Sequence, residues 1–299
     1  MDTSVDADGD VRPLLLHVAD REGPLLERRV QDWDNAYANS ANIAGSERWP
    51  AAWFEAAQSF RDRLAAEGRA RLDIAYGSAT RHRLDLFLPK GRPAGLVVFV
   101  HGGYWMAFDQ RAWSHLAAGS VDAGYAVAMP TYTLCPEARI ADIVGEVAAA
   151  IGKAAELVEG PLALTGHSAG GHLVSRMISS PSPLADAVRA RIRNVVSISG
   201  LHDLRPLMRT GMNAKLRIDE AEALAESPAL LRPMADARIT CWVGGGERQE
   251  FLRQSALLAN IWTGLGATTA EVVEPDRHHF SVVDGLTSAD HPLTRTLLS

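Results

Sequence analysis

Short apolar runs alternate with longer helical patterns from residue 72 to the end of the chain, and this alternation restricts the fold more than any other feature. The run AGLVVFVHGG at 94–103 is continuously apolar before its glycines, which is typical of a strand buried on both faces. The segment 139–158 instead carries apolar residues at helical spacing. Strands separated by helices in this way predict an α/β fold, with a mostly parallel central sheet covered by helices on both faces.

Local patterns predict the boundaries of several elements. LDIAYG and RHRLDLFLP predict the first two strands, and residues 112–125 predict a helix that ends at Gly124. A final helix is expected from about Phe280. In the N-terminal part, residues 50–68 have helical spacing, whereas residues 32–50 are rich in Asn, Gly and Pro and predict an ordered loop.

Composition is that of an ordinary globular protein. The chain has 299 residues, of which 47% are hydrophobic and 22% are charged, and this is enough for one large core. We therefore expect a flexible N-terminus over residues 1–12 and a single domain over residues 13–299. Within that domain, residues 13–70 are expected to form a cap over the carboxyl ends of the strands, where ligands bind in such sheets.

Charge and cysteine content exclude several classes of protein. The net charge of −6 provides no basic surface for nucleic acid. No apolar run approaches the ~18 residues of a transmembrane helix, and the acidic N-terminus does not resemble a signal peptide. Cys135 and Cys241 are far apart in sequence and are expected as buried thiols in a reducing compartment. The sequence thus predicts a cytoplasmic protein without a nucleic-acid or membrane partner, and it is compatible with a homodimer.

The pentapeptide GHSAG at Gly166–Gly170 interrupts a strand pattern and precedes a helical one. It fits G-x-S-x-G, in which a serine in a strained strand-to-helix turn presents its hydroxyl at the end of a sheet. The residues two before and two after that serine must lack bulk, and both are glycine here. A glycine-rich helix start with an N-capping serine is the alternative. The strand-turn-helix context favours Ser168 as a nucleophile.

A serine nucleophile needs a base and an orienting acid, which follow it in the order acid, then histidine, in this kind of fold. His278 and His279 follow the last predicted strand, and His279 is favoured because an apolar residue directly follows it. His202 follows an earlier strand and is expected to be structural or to line a pocket. Glu247 comes directly after the glycines that end the next-to-last strand. It is favoured over Glu250, which falls in the first turn of a helix.

The stretch HGGYW follows the first long buried strand and can supply backbone N–H donors to an anionic oxygen. We expect these oxyanion-hole donors to be Gly103, Tyr104 and Ala169. Gly102 is the reserve donor. His101 is expected to hydrogen-bond the backbone of its own loop and hold its shape. An ordinary Gly-Gly turn is the alternative, which the neighbouring serine motif disfavours.

No metal and no cofactor are expected. His167 and His172 are five residues apart, and neither an HExxH pattern nor a Cys-rich set accompanies them. The glycine-rich stretches fit neither GxGxxG nor GxxxxGK[ST], so they do not indicate phosphate binding.

HGGYW together with GHSAG resembles the HGGxW branch of the α/β-hydrolase superfamily, which includes kynurenine formamidase (arylformamidase). That branch is similar to the hormone-sensitive-lipase-like esterases, which carry HGGG. The resemblance covers the chain from about residue 30 to the C-terminus and includes DWDNAYANSANI, YGSATRHRLDLFLP and HHFSVVDGL. It implies the α/β-hydrolase fold, with Ser168, Glu247 and His279 as a catalytic triad. Glu247 is a departure, because the animal formamidases carry aspartate there.

The resemblance implies hydrolysis of N-formyl-L-kynurenine to kynurenine and formate by acyl transfer. Recognition would fall on the aromatic amine and its amino-acid tail, with an arginine to pair with the substrate carboxylate. The Tyr104 side chain is expected to crowd the acyl side and favour formyl or acetyl groups. A carboxylesterase for short-chain or aryl esters is the alternative, and a non-catalytic ligand-binding protein is a third hypothesis. Candidate aromatic walls of the substrate pocket are Tyr104, Trp105, Tyr132, Trp49 and Trp53. Ordinary core packing is the alternative role for each of them.

Overall fold

The computed structural model describes residues 29–299. Within them, Asp32–Ser299 form one compact unit. The predicted flexible segment 1–12 and the first part of the predicted cap, residues 13–28, lie outside the described residues.

Strands and helices alternate along most of the described chain. The strands are β1 (Ala70–Ala75), β2 (Arg83–Phe87), β3 (Leu96–Val100), β4 (Ala126–Pro130), β5 (Leu162–His167), β6 (Ser179–Ser180), β7 (Ile192–Ile198), β8 (Arg232–Pro233), β9 (Arg238–Gly244) and β10 (Thr268–Glu274). The helices are α1 (Trp33–Tyr37), α2 (Trp49–Ala66), α3 (Ala118–Asp122), α4 (Ile140–Leu157), α5 (Ala169–Met177), α6 (Asp186–Arg189), α7 (Asn213–Leu216), α8 (Glu220–Glu226), α9 (Gln249–Gly264) and α10 (Pro292–Leu298).

The main sheet of the described residues has eight strands in the order β1-β2-β4-β3-β5-β7-β9-β10. Strand β2 is antiparallel to both of its neighbours, and the other neighbouring pairs are parallel. Because β3, β5, β7, β9 and β10 run in one direction, their carboxyl ends lie along one edge of the sheet. The glycine-rich stretches HGG, GHSAG and GGG all lie at or directly after strand ends on this edge, where ligands bind in sheets of this kind.

The sheet is buried on both faces. Leu96, Val98 and Val100 of β3 belong to one hydrophobic cluster, together with residues of α4, α5 and α9. Val97 and Phe99 belong to a second cluster, together with residues of α2 and α10. Because both sets of side chains are buried, the strand is apolar throughout. This architecture confirms the predicted fold class, a mostly parallel sheet with helices on both faces.

Three segments differ from the predicted elements. Residues 32–50 contain α1 and two short 3-10 helices instead of a continuous loop. The carboxylate of Asp32 accepts from the amide of Asn35 and caps α1, whose five residues are too few for periodicity to reveal. Residues 112–125 begin as a 3-10 helix that continues into α3. The final α-helix begins only at Pro292, a residue favoured at the first helical position, after another 3-10 helix.

The cysteine thiols are buried, and the helices of the described residues are short or polar. Cys135 and Cys241 are free and buried, as expected. Burial raises the pKa of their thiols to about 11 and about 12. Among the helices in residues 29–299, none is both long enough and apolar enough to cross a membrane.

The turn between β5 and α5 packs tightly against the end of β3. A Cβ atom at Gly170 would clash with the carbonyl oxygen of Val100, and one at Gly166 would clash with the carbonyl of Gly170. A Cβ atom at Gly102 would lie 3.1 Å from the Cβ of Ser168. The glycines of G-x-S-x-G are therefore required by close approach between backbone segments.

Replacing Gly170 with alanine is expected to destabilise the protein by about 2 kcal/mol or more, because the new methyl group meets backbone of a neighbouring strand. The matched control is Gly145→Ala in α4, where no atom lies within 4 Å of the new methyl group. The control is expected to gain about 0.5–1 kcal/mol from helix propensity. Urea unfolding measures both free energies, and equal stability of the two variants would contradict close packing at the turn.

Candidate active site

A cavity of about 480 Å³ lies at the carboxyl ends of the strands. Its wall includes Ser168, His279, Gly103 and Tyr104, which are distant in sequence. Glu247 contacts His279 from behind the wall. The structure therefore brings together the residues that the sequence analysis singled out for nucleophile, base, acid and oxyanion donors.

Ser168 has φ 55° and ψ −115°, a backbone conformation that a residue with a side chain adopts only at an energetic cost. Its amide N–H donates to the carbonyl of Ile198 at 2.8 Å, and its carbonyl accepts from the amide of His172 at 3.1 Å. The side chain does not cap α5, so the alternative of an N-capping serine does not apply. Among the described residues, the hydroxyl has no hydrogen-bond partner and is available at the cavity wall.

The carboxylate of Glu247 accepts three hydrogen bonds. Its Oε2 accepts from Nδ1 of His279 at 2.6 Å. Its Oε1 accepts from the hydroxyl of Ser199 at 2.5 Å and from the amide of Gly244 at 2.8 Å. Because an ionised carboxylate can only accept, the neutral imidazole carries its proton on Nδ1, and Nε2 is left as an acceptor.

Ser199 is a residue of the site that the sequence analysis missed. It follows β7, has φ 51°, and donates its amide N–H to the carbonyl of Trp242 at 2.7 Å. In this conformation its hydroxyl reaches Glu247. The only signal in the sequence is a polar residue directly after a buried strand, at the edge of the sheet where ligand sites form.

The other candidates for acid and base have structural contacts. Glu250 pairs with Arg253 at 2.8 Å and accepts from the hydroxyl of Tyr37 at 2.8 Å. Nδ1 of His278 accepts from two backbone amides of the following turn, at 3.2 Å each. His202 is fully buried, and burial lowers its pKa to about 3. The side chains that the structure assembles at the cavity are thus those of Glu247 and His279.

The loop after β3 has a left-handed backbone at successive residues. Gly103, Tyr104 and Trp105 have φ of 104°, 50° and 55°. The amide of Met106 donates to the carbonyl of Gly103 at 2.9 Å and closes the turn. Within residues 29–299, the amides of Gly103, Tyr104 and Ala169 have no acceptor. Three unpaired donors beside a strained serine form an arrangement that can bind an anionic oxygen.

His101 holds this loop, as the sequence predicted. Its Nδ1 donates to the carbonyl of Gly102 at 2.8 Å, and its ring stacks on Tyr132 with centroids 4.3 Å apart. The hydroxyl of Tyr132 donates to the carbonyl of His101 at 2.9 Å. Burial lowers the pKa of His101 to about 4, so the ring is neutral. The amide of Gly102, the reserve donor, also has no acceptor in the described residues.

Three of the predicted aromatic residues, Trp49, Trp105 and Tyr132, do not line the cavity. Tyr104 does line it, but Trp105 and Tyr132 are fully buried elsewhere. Trp105 packs edge-on against His172, with ring centroids 5.2 Å apart. The rings of Trp105 and Tyr132 both belong to the hydrophobic core below the loop, where burial removes their whole surface from water.

The aromatic wall is formed by Trp53, Phe108, Trp113 and Phe280. The rings of Trp53 and Trp113 lie 4.7 Å apart, and Trp53 packs against Phe280 at 5.1 Å. Of these four, the sequence analysis named only Trp53. The other three lie in segments where sequence alone does not distinguish a cavity wall from a core position.

Residues 37–41 also line the cavity. The hydroxyl of Tyr104 donates to the carbonyl of Tyr37 at 2.6 Å. The hydroxyl of Tyr37 donates to Glu250 at 2.8 Å and accepts from Gln254 at 3.1 Å. These hydrogen bonds fix the segment before α2 to the loop after β3 and to α9.

The described wall of the cavity contains no Arg, Lys, Asp or Glu. The arginine expected to pair with a substrate carboxylate is therefore not among the described lining residues. His167 packs on His279 with ring centroids 4.5 Å apart. Burial, reinforced by the neighbouring His279, holds the pKa of His167 well below its usual range, so this ring is neutral. Such a wall favours substrates without net charge.

Known proteins resemble this chain over most of its length. Kynurenine formamidase of Danio rerio is 30% identical over 254 residues, which cover 81% of this chain and 86% of that protein. A crystal structure from a Silicibacter species, provisionally described as a thioesterase, is 49% identical with a TM-score of 0.86 and covers 90% of this chain and 99% of that chain. Esterase B from Lactobacillus rhamnosis, at 18% identity and a TM-score of 0.60, covers 84% of this chain and 91% of its own and shares the fold.

These relatives confirm the resemblance to kynurenine formamidase and to α/β-hydrolases that was drawn from HGGYW and GHSAG. In addition, the family model BD-FAE matches residues 84–236, which include both motifs. The chain is thus a hydrolase that belongs to the BD-FAE family within the α/β-hydrolase superfamily.

Proposed function

We propose that the chain is a serine hydrolase that works by acyl transfer, with Ser168 as nucleophile, His279 as general base and Glu247 as the orienting acid. The observation that carries the proposal is the hydrogen bond of 2.6 Å from His279 to Glu247, in a site where Ser168 and His279 share one cavity. A base oriented by a buried carboxylate beside a serine is the arrangement that nucleophilic catalysis needs.

In the first half of the reaction, the Ser168 hydroxyl attacks the carbonyl carbon of the substrate, and Nε2 of His279 takes its proton. The imidazolium keeps its Nδ1 hydrogen bond to Glu247, which balances the new charge. The amides of Gly103, Tyr104 and Ala169 stabilise the oxyanion of the tetrahedral intermediate. His279 then protonates the leaving amine or alcohol, and an acyl-serine remains.

In the second half, water attacks the acyl-serine while His279 again accepts a proton. Collapse of the second tetrahedral intermediate releases the acid and restores the serine hydroxyl. For a formamide substrate the acyl group is formyl, and the two products are the free amine and formate.

The substrate that we propose is N-formyl-L-kynurenine, which makes the chain an arylformamidase. The support is the 30% identity to Danio rerio kynurenine formamidase across most of both proteins. The aromatic wall of Trp53, Phe108, Trp113 and Phe280 suits an aryl group.

A carboxylesterase for short-chain or aryl esters is the second candidate. The observation that favours it is the described cavity wall, which offers no cationic side chain to a substrate carboxylate. The Silicibacter relative, which is 49% identical, is provisionally described as a thioesterase. Thioesters are therefore compared alongside formamides and esters.

The test is to compare kcat/KM for N-formyl-L-kynurenine with kcat/KM for p-nitrophenyl acetate, p-nitrophenyl butyrate and S-phenyl thioacetate. We expect the formamide to be preferred, and a negligible formamide rate with rapid ester turnover would make the enzyme an esterase. Ser168→Ala is expected to lower every rate at least roughly 10³-fold, because the nucleophile is lost. Ser78→Ala, at an exposed serine outside the cavity, is the matched control.

A fluorophosphonate probe tests the mechanism separately from the substrate. The wild-type protein should be labelled, and Ser168→Ala should not be. Absence of labelling in the wild type would favour the non-catalytic ligand-binding hypothesis, and labelling that persists in Ser168→Ala would assign the nucleophile to another residue.

The activity on p-nitrophenyl esters is expected to fall with acyl length, by roughly tenfold or more from acetyl to octanoyl. The reason is that Tyr104 lines the cavity beside the proposed oxyanion donors and is held there by its 2.6 Å hydrogen bond to the Tyr37 carbonyl. Tyr104→Ala should raise the octanoyl-to-acetyl ratio of kcat/KM. Equal wild-type activity on octanoyl and acetyl esters would contradict crowding by Tyr104.

A further inference from the structure

Asn39 lies in the cavity wall with its side chain unused by the protein. The residue is 7% exposed and precedes a short 3-10 helix, Ser40–Asn42, at the position where an asparagine usually caps. Its side chain makes no capping hydrogen bond. Within residues 29–299 the carboxamide has no other partner, although a buried polar group without a partner is costly.

Accessibility separates Asn39 from the other unpaired polar groups of the wall. The ring nitrogens of His167 and the indole nitrogens of Trp53 and Trp113 are also unpaired, but they are occluded by neighbouring atoms. The Asn39 carboxamide is not among these occluded atoms, and Asn39 lines the cavity. It is therefore the group in this set that a bound molecule could satisfy without rearranging the wall.

The backbone around Asn39 is held in place on both sides. Its amide N–H donates to the carbonyl of Tyr37 at 3.1 Å, and its carbonyl accepts from the amide of Asn42 at 2.9 Å. The same Tyr37 carbonyl accepts from the hydroxyl of Tyr104 at 2.6 Å. Asn39 is thus fixed relative to the loop that carries the proposed oxyanion donors.

The chemistry of a carboxamide limits what it can recognise. It offers two N–H donors and a carbonyl acceptor and carries no charge. The described wall supplies no charged side chain to balance an anion or a cation. A group with both an acceptor and a donor but no net charge, such as an amide or a zwitterionic amino-acid group, matches this environment.

We propose that Asn39 determines specificity by hydrogen-bonding a net-neutral substituent of this kind on the aromatic part of the substrate. This inference rests on the proposed function, because it assigns a recognition residue to the same site. The Asn39 carboxamide is then the group that contacts the zwitterionic tail of N-formyl-L-kynurenine, a tail that a bare aryl formamide lacks.

The first arm of the test compares N-formyl-L-kynurenine with formanilide, which has the ring and the formamide but no polar substituent. In Asn39→Leu, the ratio of the two kcat/KM values is expected to fall roughly tenfold, mainly through KM, as for loss of one hydrogen bond to a charged group. Asn42→Leu is the matched control, because Asn42 is exposed, lies outside the cavity wall and holds the same turn through Asn35 and Ala38. Its ratio should stay unchanged.

An unchanged ratio in Asn39→Leu would overturn the inference. An equal fall in Asn42→Leu would also overturn it, since loosening of the turn would then explain the effect. Thermal unfolding of both variants verifies that they are folded under the assay conditions.

The second arm measures binding and does not depend on turnover. Calorimetry gives the Kd of L-kynurenine for Ser168→Ala and for Ser168→Ala with Asn39→Leu, and a rise of roughly tenfold is expected. If the wild type does not hydrolyse N-formyl-L-kynurenine, this binding measurement alone tests the role of Asn39. The absence of turnover would refute the proposed substrate, and binding that depends on Asn39 would still support the inference. Undetectable binding, or binding that is independent of Asn39, would overturn it.

Discussion

The contact between the β5–α5 turn and the end of β3 is the constraint on which the site depends. The carbonyl oxygen of Val100 occupies the space that a side chain at Gly170 would need. At the same contact Ser168 has φ 55°, and Gly102 lies so close to the Cβ atom of Ser168 that it leaves little space for a side chain of its own. A strained backbone conformation persists only where its surroundings determine it. The proposed nucleophile and the proposed oxyanion donors are therefore positioned by one approach of backbone to backbone.

The Glu247 carboxylate links three further strands to that contact. Its donors are Ser199 after β7, Gly244 at the end of β9 and His279 after β10. Because each donor is fixed by a strand of the same sheet, the register of the parallel strands sets the orientation of the imidazole. Buried carboxylates need such partners, since an ionised group without them would be very costly to remove from water. The acid thus has a structural role in joining strand ends, alongside its proposed catalytic role.

The sequence predicted the parts of this protein that repeat a strong local pattern. Buried strands such as β3 and the turn at Ser168 follow from apolar runs and from glycines whose neighbours leave no space. It could not predict α1, which is held by a cap and by tertiary hydrogen bonds such as that from Tyr104. It offered Trp105 as a candidate for the pocket wall, with core packing as the alternative, and the ring is buried in the core. An aromatic residue has the same local pattern in a core and in a wall, and only the assembled elements separate the two.

The cavity wall explains why the catalytic motifs do not by themselves identify a substrate. In the proposed mechanism, Ser168, His279 and the loop amides act on the reacting carbonyl, which formamides and esters share. Selection must then come from the remainder of the wall, and its described part is aromatic and uncharged. In an apolar wall, differences in shape change binding by modest amounts, whereas a polar group that needs a partner discriminates more sharply. We therefore expect a few positions outside the motifs, in the segment before α2 and in the aromatic wall, to set the substrate preference on this scaffold.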